Sequence, residues 1–223
     1  MKLTTRLCQV ALLATIGFGA SSVQAHEEEG MYAVTVTNLT RGETFTPIMV
    51  ASHTKGTHFY QLGSPASDEL AALAEGGDIA PLSGLLMETG GAFDIATNGG
   101  LLAPGASTTI MVKMTNKARF VSVASMLIPT NDAFIAINGM RGPKSKHRDV
   151  MVMSPAYDAG SEPNDELCAN MPGPACGGEG GSPDASGEGY VHIHAGIQGI
   201  GDLNSSEYDW RNPTARIVIK RVE

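Results

Sequence analysis

The sequence predicts an all-β domain interrupted by one or two short helices. Three observations carry that expectation. Residues 32–38 and 107–115 alternate in character with a period of two, the signature of a strand with one buried face. Helical periodicity is confined to one region, near 67–87. A chain of 223 residues, less a short leader, fits one all-β domain and can bury a sizeable core.

Residues 1–25 read as a signal peptide. Lys2 and Arg6 give a positive start, Val10 to Ala20 is apolar, and Val23-Gln24-Ala25 is a small-residue cleavage site. The apolar run is too short to span a bilayer, and His26-Glu27-Glu28-Glu29-Gly30 follows at once as a short acidic linker, 26–30. The rest, 31–223, is read as one domain. The protein is therefore expected to be exported, to the periplasm or the extracellular space, with no transmembrane segment. Cys8 leaves with the leader, so Cys168 and Cys176 remain. An oxidising compartment favours their pairing, and the spacing is not that of a Cys-x-x-Cys redox couple.

Within the domain the strand at 32–38 is followed by a turn at Arg41-Gly42-Glu43 and a second strand over 47–53. Ser67 can cap a helix, Asp68 and Glu69 suit its positive end, and Leu70, Leu73 and Ala74 form its apolar face before Gly76-Gly77. A second short piece runs from Pro81 to Met87. These leucines are expected to cover an open end of the domain. Strands are expected again over 107–115, 120–127, 133–137, 149–153, 190–194 and 215–222, and 177–189 is a glycine-rich loop.

The net charge is −8, and loss of Lys2 and Arg6 makes it two units more negative. That disfavours nucleic acid and bare anionic lipid. The connection 141–148 reads as solvated, and no basic cluster argues otherwise.

Two stretches hold the candidate site. Asp132 follows a proline turn, and Asp158 and Glu162 lie four residues apart with Gly160 between them. Three carboxylates on two loops, with backbone carbonyls around them, are what a hard cation such as calcium requires, although the same residue types also populate solvated turns. Pro129-Thr130-Asn131-Asp132 before an apolar strand, Tyr157-Asp158-Ala159-Gly160-Ser161-Glu162, Tyr190-Val191-His192-Ile193-His194-Ala195-Gly196, and Asn212-Pro213-Thr214-Ala215-Arg216-Ile217 together resemble the spondin N-terminal domain, the F-spondin/mindin-like module, in its bacterial stand-alone form. The resemblance implies an antiparallel β-sandwich resembling a C2 domain. It also implies one calcium ion (Ca2+) at Asp132, Asp158 and Glu162, and an adhesive or matrix-associated binding role without catalysis. Glu162 stands where the family usually has Asp, and Ala133 where it often has Trp.

Rival constellations exist. His192 and His194 alternate on an expected strand, so both rings can leave one face and bind copper or zinc, with Met151 and Met153 suited to cuprous copper. Trp210, within Tyr208-Asp209-Trp210-Arg211, is a candidate carbohydrate platform, though sealing the last strand is its blander use. No nucleophile elbow, zinc-protease helix or phosphate loop marks an enzyme. The expected partner is a protein or glycan ligand at the loop ends of a monomer.

Overall fold

The computed structural model describes residues 29–182 and 186–223. The expected signal peptide, 1–25, and most of the expected acidic linker lie outside them, as do 183–185 of the expected glycine-rich loop.

The described residues form eleven strands: β1 (Gly30–Asn38), β2 (Thr44–Phe45), β3 (Met49–His53), β4 (Ala92–Thr97), β5 (Ser107–Met114), β6 (Phe120–Ile128), β7 (Ala133–Arg141), β8 (Val150–Ser154), β9 (Ala156–Asp158), β10 (His192–Ile193) and β11 (Ala215–Arg221). Helices α1 (Asp68–Gly76), α2 (Ala80–Glu88) and α3 (Ser205–Tyr208) and one 3-10 turn, Cys168–Asn170, complete the described elements. The strands form an antiparallel four-stranded sheet, ordered β5-β1-β11-β8, and a larger sheet ordered β10-β9-β7-β6-β3-β4, with β2 on β6. The all-β expectation thus holds at a coarser level: a β-rich mixed domain of two sheets and short helices.

Alternation explains the first sheet. Val34 and Val36 of β1, Ile110 and Val112 of β5, and Ile217 and Ile219 of β11 join Val50, Val123, Ile135 and Ile137 of the larger sheet in one buried cluster. The larger sheet has apolar residues on both faces. Its β6 strand is buried from Val121 to Ile128, which period-two alternation alone does not predict.

The second face is covered by α1 and α2. Leu70, Leu73, Leu82 and Leu86 pack with Met49, Ala51, Ala124, Phe134 and Ala136. This corrects the expectation that the leucines close an end of the domain. They cover a sheet face, because that face is apolar and would otherwise meet water. Nine-residue helices are marginal alone, so packing and caps hold them. Ser67 accepts from the Leu70 amide at 3.3 Å, and Gly77, at φ 68°, ends α1.

Local pattern missed three strands, β2, β4 and β9, and the expected strand over 190–194 shortens to β10. Asp94 interrupts the apolar pattern of β4, and β2 and β9 are too short to show a period. In the opposite direction, β7 runs on to Arg141.

Cys168 and Cys176 form a disulfide, with Cα atoms 4.7 Å apart. Replacing both by Ala is expected to lower unfolding free energy by about 2–3 kcal/mol, the loop-closure contribution of so short a ring. Denaturant melts of the oxidised protein and the double variant check this, and equal midpoints would refute it.

Glu43, just before β2, is fully buried, and neither carboxylate oxygen has a hydrogen-bond partner. Burial, then the charge of Asp209, holds its carboxyl well above the usual carboxylate range. The folded state therefore keeps this proton longer than the unfolded chain. Its favourable contribution is complete below the unfolded pKa and is lost as pH rises through the folded one. Glu43→Gln should flatten the fall in melting temperature as pH rises above the ordinary carboxylate range. Parallel wild-type and variant profiles would count against this.

Candidate metal centre

The site is built where β6 turns into β7. Thr130 Oγ1 donates to the Leu127 carbonyl at 2.6 Å and accepts from the Ala133 amide at 3.2 Å, which orients Asp132 at the start of β7. Asp132 then clasps the second loop. Its Oδ2 accepts from the Ser161 amide at 2.9 Å, from Ser161 Oγ at 3.2 Å and from the Glu162 amide at 3.2 Å.

Asp158 ends β9, where it pairs with Ala133 on one side and His192 on the other. Gly160 bends the chain between Asp158 and Glu162 at φ 66°, and its amide donates to Asp158 Oδ1 at 2.8 Å. Asn164 Nδ2 donates to Asp158 Oδ2 at 2.8 Å. Glu162 Oε1 accepts from the Ser182 amide, so the described part of the glycine-rich loop lies against this acid.

Asp132, Asp158 and Glu162 are each at most 2% exposed. Asp132 Oδ1 and Glu162 Oε2 are buried without any hydrogen-bond partner. Burial, then the charge of Asp158, pushes the Asp132 carboxyl up to about 8 against the hydrogen bonds it accepts. Burial pushes Glu162 up to about 7, with Glu75 and Asp165 adding to it. Buried acids with orphaned oxygens are unfavourable when ionised, and a proton or a cation removes the penalty.

The two histidines flank Asp158 on the same side, as their alternation predicts. His192 Nε2 is 3.8 Å from Asp158 Oδ1 and His194 Nε2 is 3.8 Å from Asp158 Oδ2. Their chemistry differs. His194 Nδ1 accepts from the Gly196 amide at 2.9 Å, so its proton sits on Nε2, 3.0 Å from the Asn164 carbonyl oxygen. Burial holds its pKa below the usual value despite Asp158. Both nitrogens of His194 are therefore engaged, so of the expected histidine pair it is His192 that turns a nitrogen to the acids. His192 Nδ1 donates to the Ile193 carbonyl at 3.2 Å, leaving Nε2 facing Asp158 and, also at 3.8 Å, Glu188 Oε2. Asp158, Glu188 and His192 each offer a ligand atom, all within 4.8 Å of one another. They border a 120 Å³ cavity.

Glu188, Asn131, Asn164 and Glu166 were not legible as site residues. Glu166, at φ 56°, uses its carboxylate to accept from the amides of Gln198, Gly199 and Ile200 at 2.6, 2.7 and 2.9 Å. It thereby holds the loop that walls the same cavity. Its non-glycine residue at positive φ is the one local anomaly there, and sequence does not report φ. Trp210 is only 7% exposed and its ring lies 5.1 Å from that of His194, so it supports the site from beneath and offers no open stacking face. Arg211 pairs with Asp209. Met151 and Met153 are exposed on β8, in the other sheet.

No helix among the described residues is long and apolar enough to cross a membrane. Comparison with curated proteins finds no match. The family model Spondin_N matches residues 35–162, a span that includes Asp132, Asp158 and Glu162 and ends before Glu188 and His192. That match covers more than half of the chain, and the chain belongs to the Spondin_N family.

Proposed function

We propose that this domain is a non-catalytic binding module that takes up one metal ion at Asp158, with Glu188 and His192 completing the protein's share of the coordination. The observation that carries this reading is the convergence of one imidazole nitrogen and two carboxylates within 4.8 Å. A tetrahedral zinc ion with bonds of ~2.0–2.1 Å needs ligand atoms about 3.4 Å apart. The 3.8 Å separations from His192 Nε2 to Asp158 and Glu188 need only a small closure. Nitrogen and oxygen donors together suit zinc, and copper(II) after it. Three protein ligands leave a fourth position open to the cavity for water or for a partner's donor group. His194 acts as a support here, since its hydrogen bond to Asn164 steadies the amide that in turn holds Asp158.

A second reading, one calcium ion at Asp132, Asp158 and Glu162, has its own observation in its favour. Asp132 Oδ1 and Glu162 Oε2 are the buried, unpartnered oxygens a hard cation satisfies. We take the two sheets as a sandwich of the C2 type, the protein as exported, and its role as adhesive or matrix-associated. The disulfide supports an oxidising compartment.

The test is isothermal titration of chelator-treated protein with Zn2+ and with Ca2+, on wild type, His192→Ala and Asp132→Asn. Stoichiometric zinc uptake, lost in His192→Ala and retained in Asp132→Asn, is the expected result. Calcium uptake with the reverse pattern establishes the second reading in its place. No heat with either ion overturns both.

A further inference from the structure

The end of β7 and the connection after it read Arg141-Gly142-Pro143-Lys144-Ser145-Lys146-His147-Arg148, and the strand register sets other cations beside them. Phe120 pairs with Arg141, and the Gly142 amide donates to the Arg119 carbonyl at 2.9 Å. Tyr32 pairs with Arg221 across β1 and β11, while its hydroxyl donates to the Pro143 carbonyl at 3.2 Å. Arg221 Nη1 donates to the Lys144 carbonyl at 3.2 Å. Residues far apart in the chain, Arg119, Lys144 and Arg221, thus line one 240 Å³ cavity together with Thr115 and Asn116.

Arg141, Lys144, Lys146 and Arg148 are exposed. Among the described residues, neither they nor Arg119 make an ion pair. The acids nearby include Glu29, which adjoins Gly30 of the cavity wall, Asp149 and Glu223, and Arg221 Nε donates to the Glu223 backbone oxygen. The buried carboxylates of the metal centre sit at the opposite end of β7, beside Ala133. The domain is therefore bipolar, and the net charge of −8 of the whole chain hides a cationic end. Charges more than ~8–10 Å away are largely screened at physiological salt, so the acidic end does not cancel the local field.

We infer that this end binds an anionic polysaccharide, a glycan bearing carboxylate, sulfate or phosphate groups. One charged group enters the cavity and meets Arg119 and Lys144, and its neighbours along the glycan meet Arg141, Lys146 and Arg148. A volume of 240 Å³ equals about eight waters at ~30 Å³ each, enough for an oxyanion and part of the ring that carries it. Guanidinium forks match such oxyanions in geometry as well as charge. None of the exposed large apolar side chains lines this cavity, which disfavours a bilayer, where an apolar wedge accompanies the charge. Its one aromatic, Tyr32, is buried at 8% exposure, so no platform for stacking bases is offered.

The experiment measures binding of the whole protein to heparin, to polygalacturonate, to neutral dextran and to phosphatidylcholine–phosphatidylglycerol vesicles, at two salt concentrations. Binding to both acidic polysaccharides, absent with dextran and weakened by salt, is expected. The triple variant Lys144→Gln, Lys146→Gln, Arg148→Gln should lose about tenfold or more in affinity, since each cation near a polyanion contributes several-fold. Arg211→Gln, at the other end of the domain, should change nothing. The three exposed side chains should leave the melting temperature unaltered, so lost binding is not lost folding. Undiminished binding by the triple variant overturns the assignment. So does capture by anionic vesicles alone, or a signal that sedimentation traces to head-to-tail self-association.

Discussion

Asp158→Ala is expected to abolish the metal-dependent rise in melting temperature, whichever of the two donor sets holds the ion. Asp158 is the carboxylate common to both, paired on its two sides with Ala133 and with His192. A ligand that binds only the folded state stabilises it by about 2.7 kcal/mol at a hundredfold excess over its dissociation constant. For a chain of this size that is a shift of about 5–10 °C in wild type, against none in the variant. Asp158→Asn serves as the second variant, since it keeps an oxygen for the Gly160 amide. The same melts carry a pH signature. Asp132 and Glu162 have raised folded-state pKa values, so without metal the folded protein holds their protons longer than the unfolded chain. Their contribution to stability is then lost as pH rises towards about 8. An ion bound at these acids removes that fall, whereas an ion bound at Asp158, Glu188 and His192 leaves most of it. Coincident wild-type curves with excess metal and with chelator would falsify the metal site itself.

Gly160→Ala is expected to damage both stability and metal uptake, and Gly99→Ala, at the same φ of 66°, only stability and by less. Left-handed backbone costs a residue with a Cβ roughly 1–2 kcal/mol at either position. A Cβ on Gly160 would in addition lie 2.4 Å from the Tyr190 carbonyl oxygen, whereas one on Gly99 meets nothing within 4 Å. Backbone cannot rotate away as a side chain can, so the 158–162 bend or the 190 segment must shift. Those are the segments that carry Asp158, Glu162 and His192. The expected cost at Gly160 is therefore at least about twice that at Gly99, with metal affinity falling in parallel. Denaturant melts and titrations of the two variants check this. Equal costs at both positions would show that conformation, and not the approach to Tyr190, governs the turn.

Much of this protein was legible without coordinates. Alternation in β1 and β5, the Ser67 cap and Gly77 stop of α1, and the proline and glycine turns around Asp132 and Asp158 are local patterns, and local patterns are written in adjacent residues. The loops that carry Asp132, Asp158 and Glu162 were legible for the same reason, because turn chemistry announces where a loop must be. The pairing of Cys168 with Cys176 followed from the expectation of an oxidising compartment, in which these two cysteines remain.

Other features were decided only by tertiary structure. His192 and His194 look equivalent in sequence. Their difference depends on Gly196 and Asn164, one of them thirty residues upstream of His194, consuming both nitrogens of one ring. Glu188 resembles every other acid of its loop until β10 sets His192 beside it. The basic residues of 141–148 read as a solvated connection, because Arg119 and Arg221 reach them only through the registers of β6 with β7 and β1 with β11. Sequence alone determined which residue types stand where the chain turns, alternates or caps. The folded sheets decided which of those residues share a cavity, since strand register joins positions separated by dozens of residues and no local periodicity encodes it.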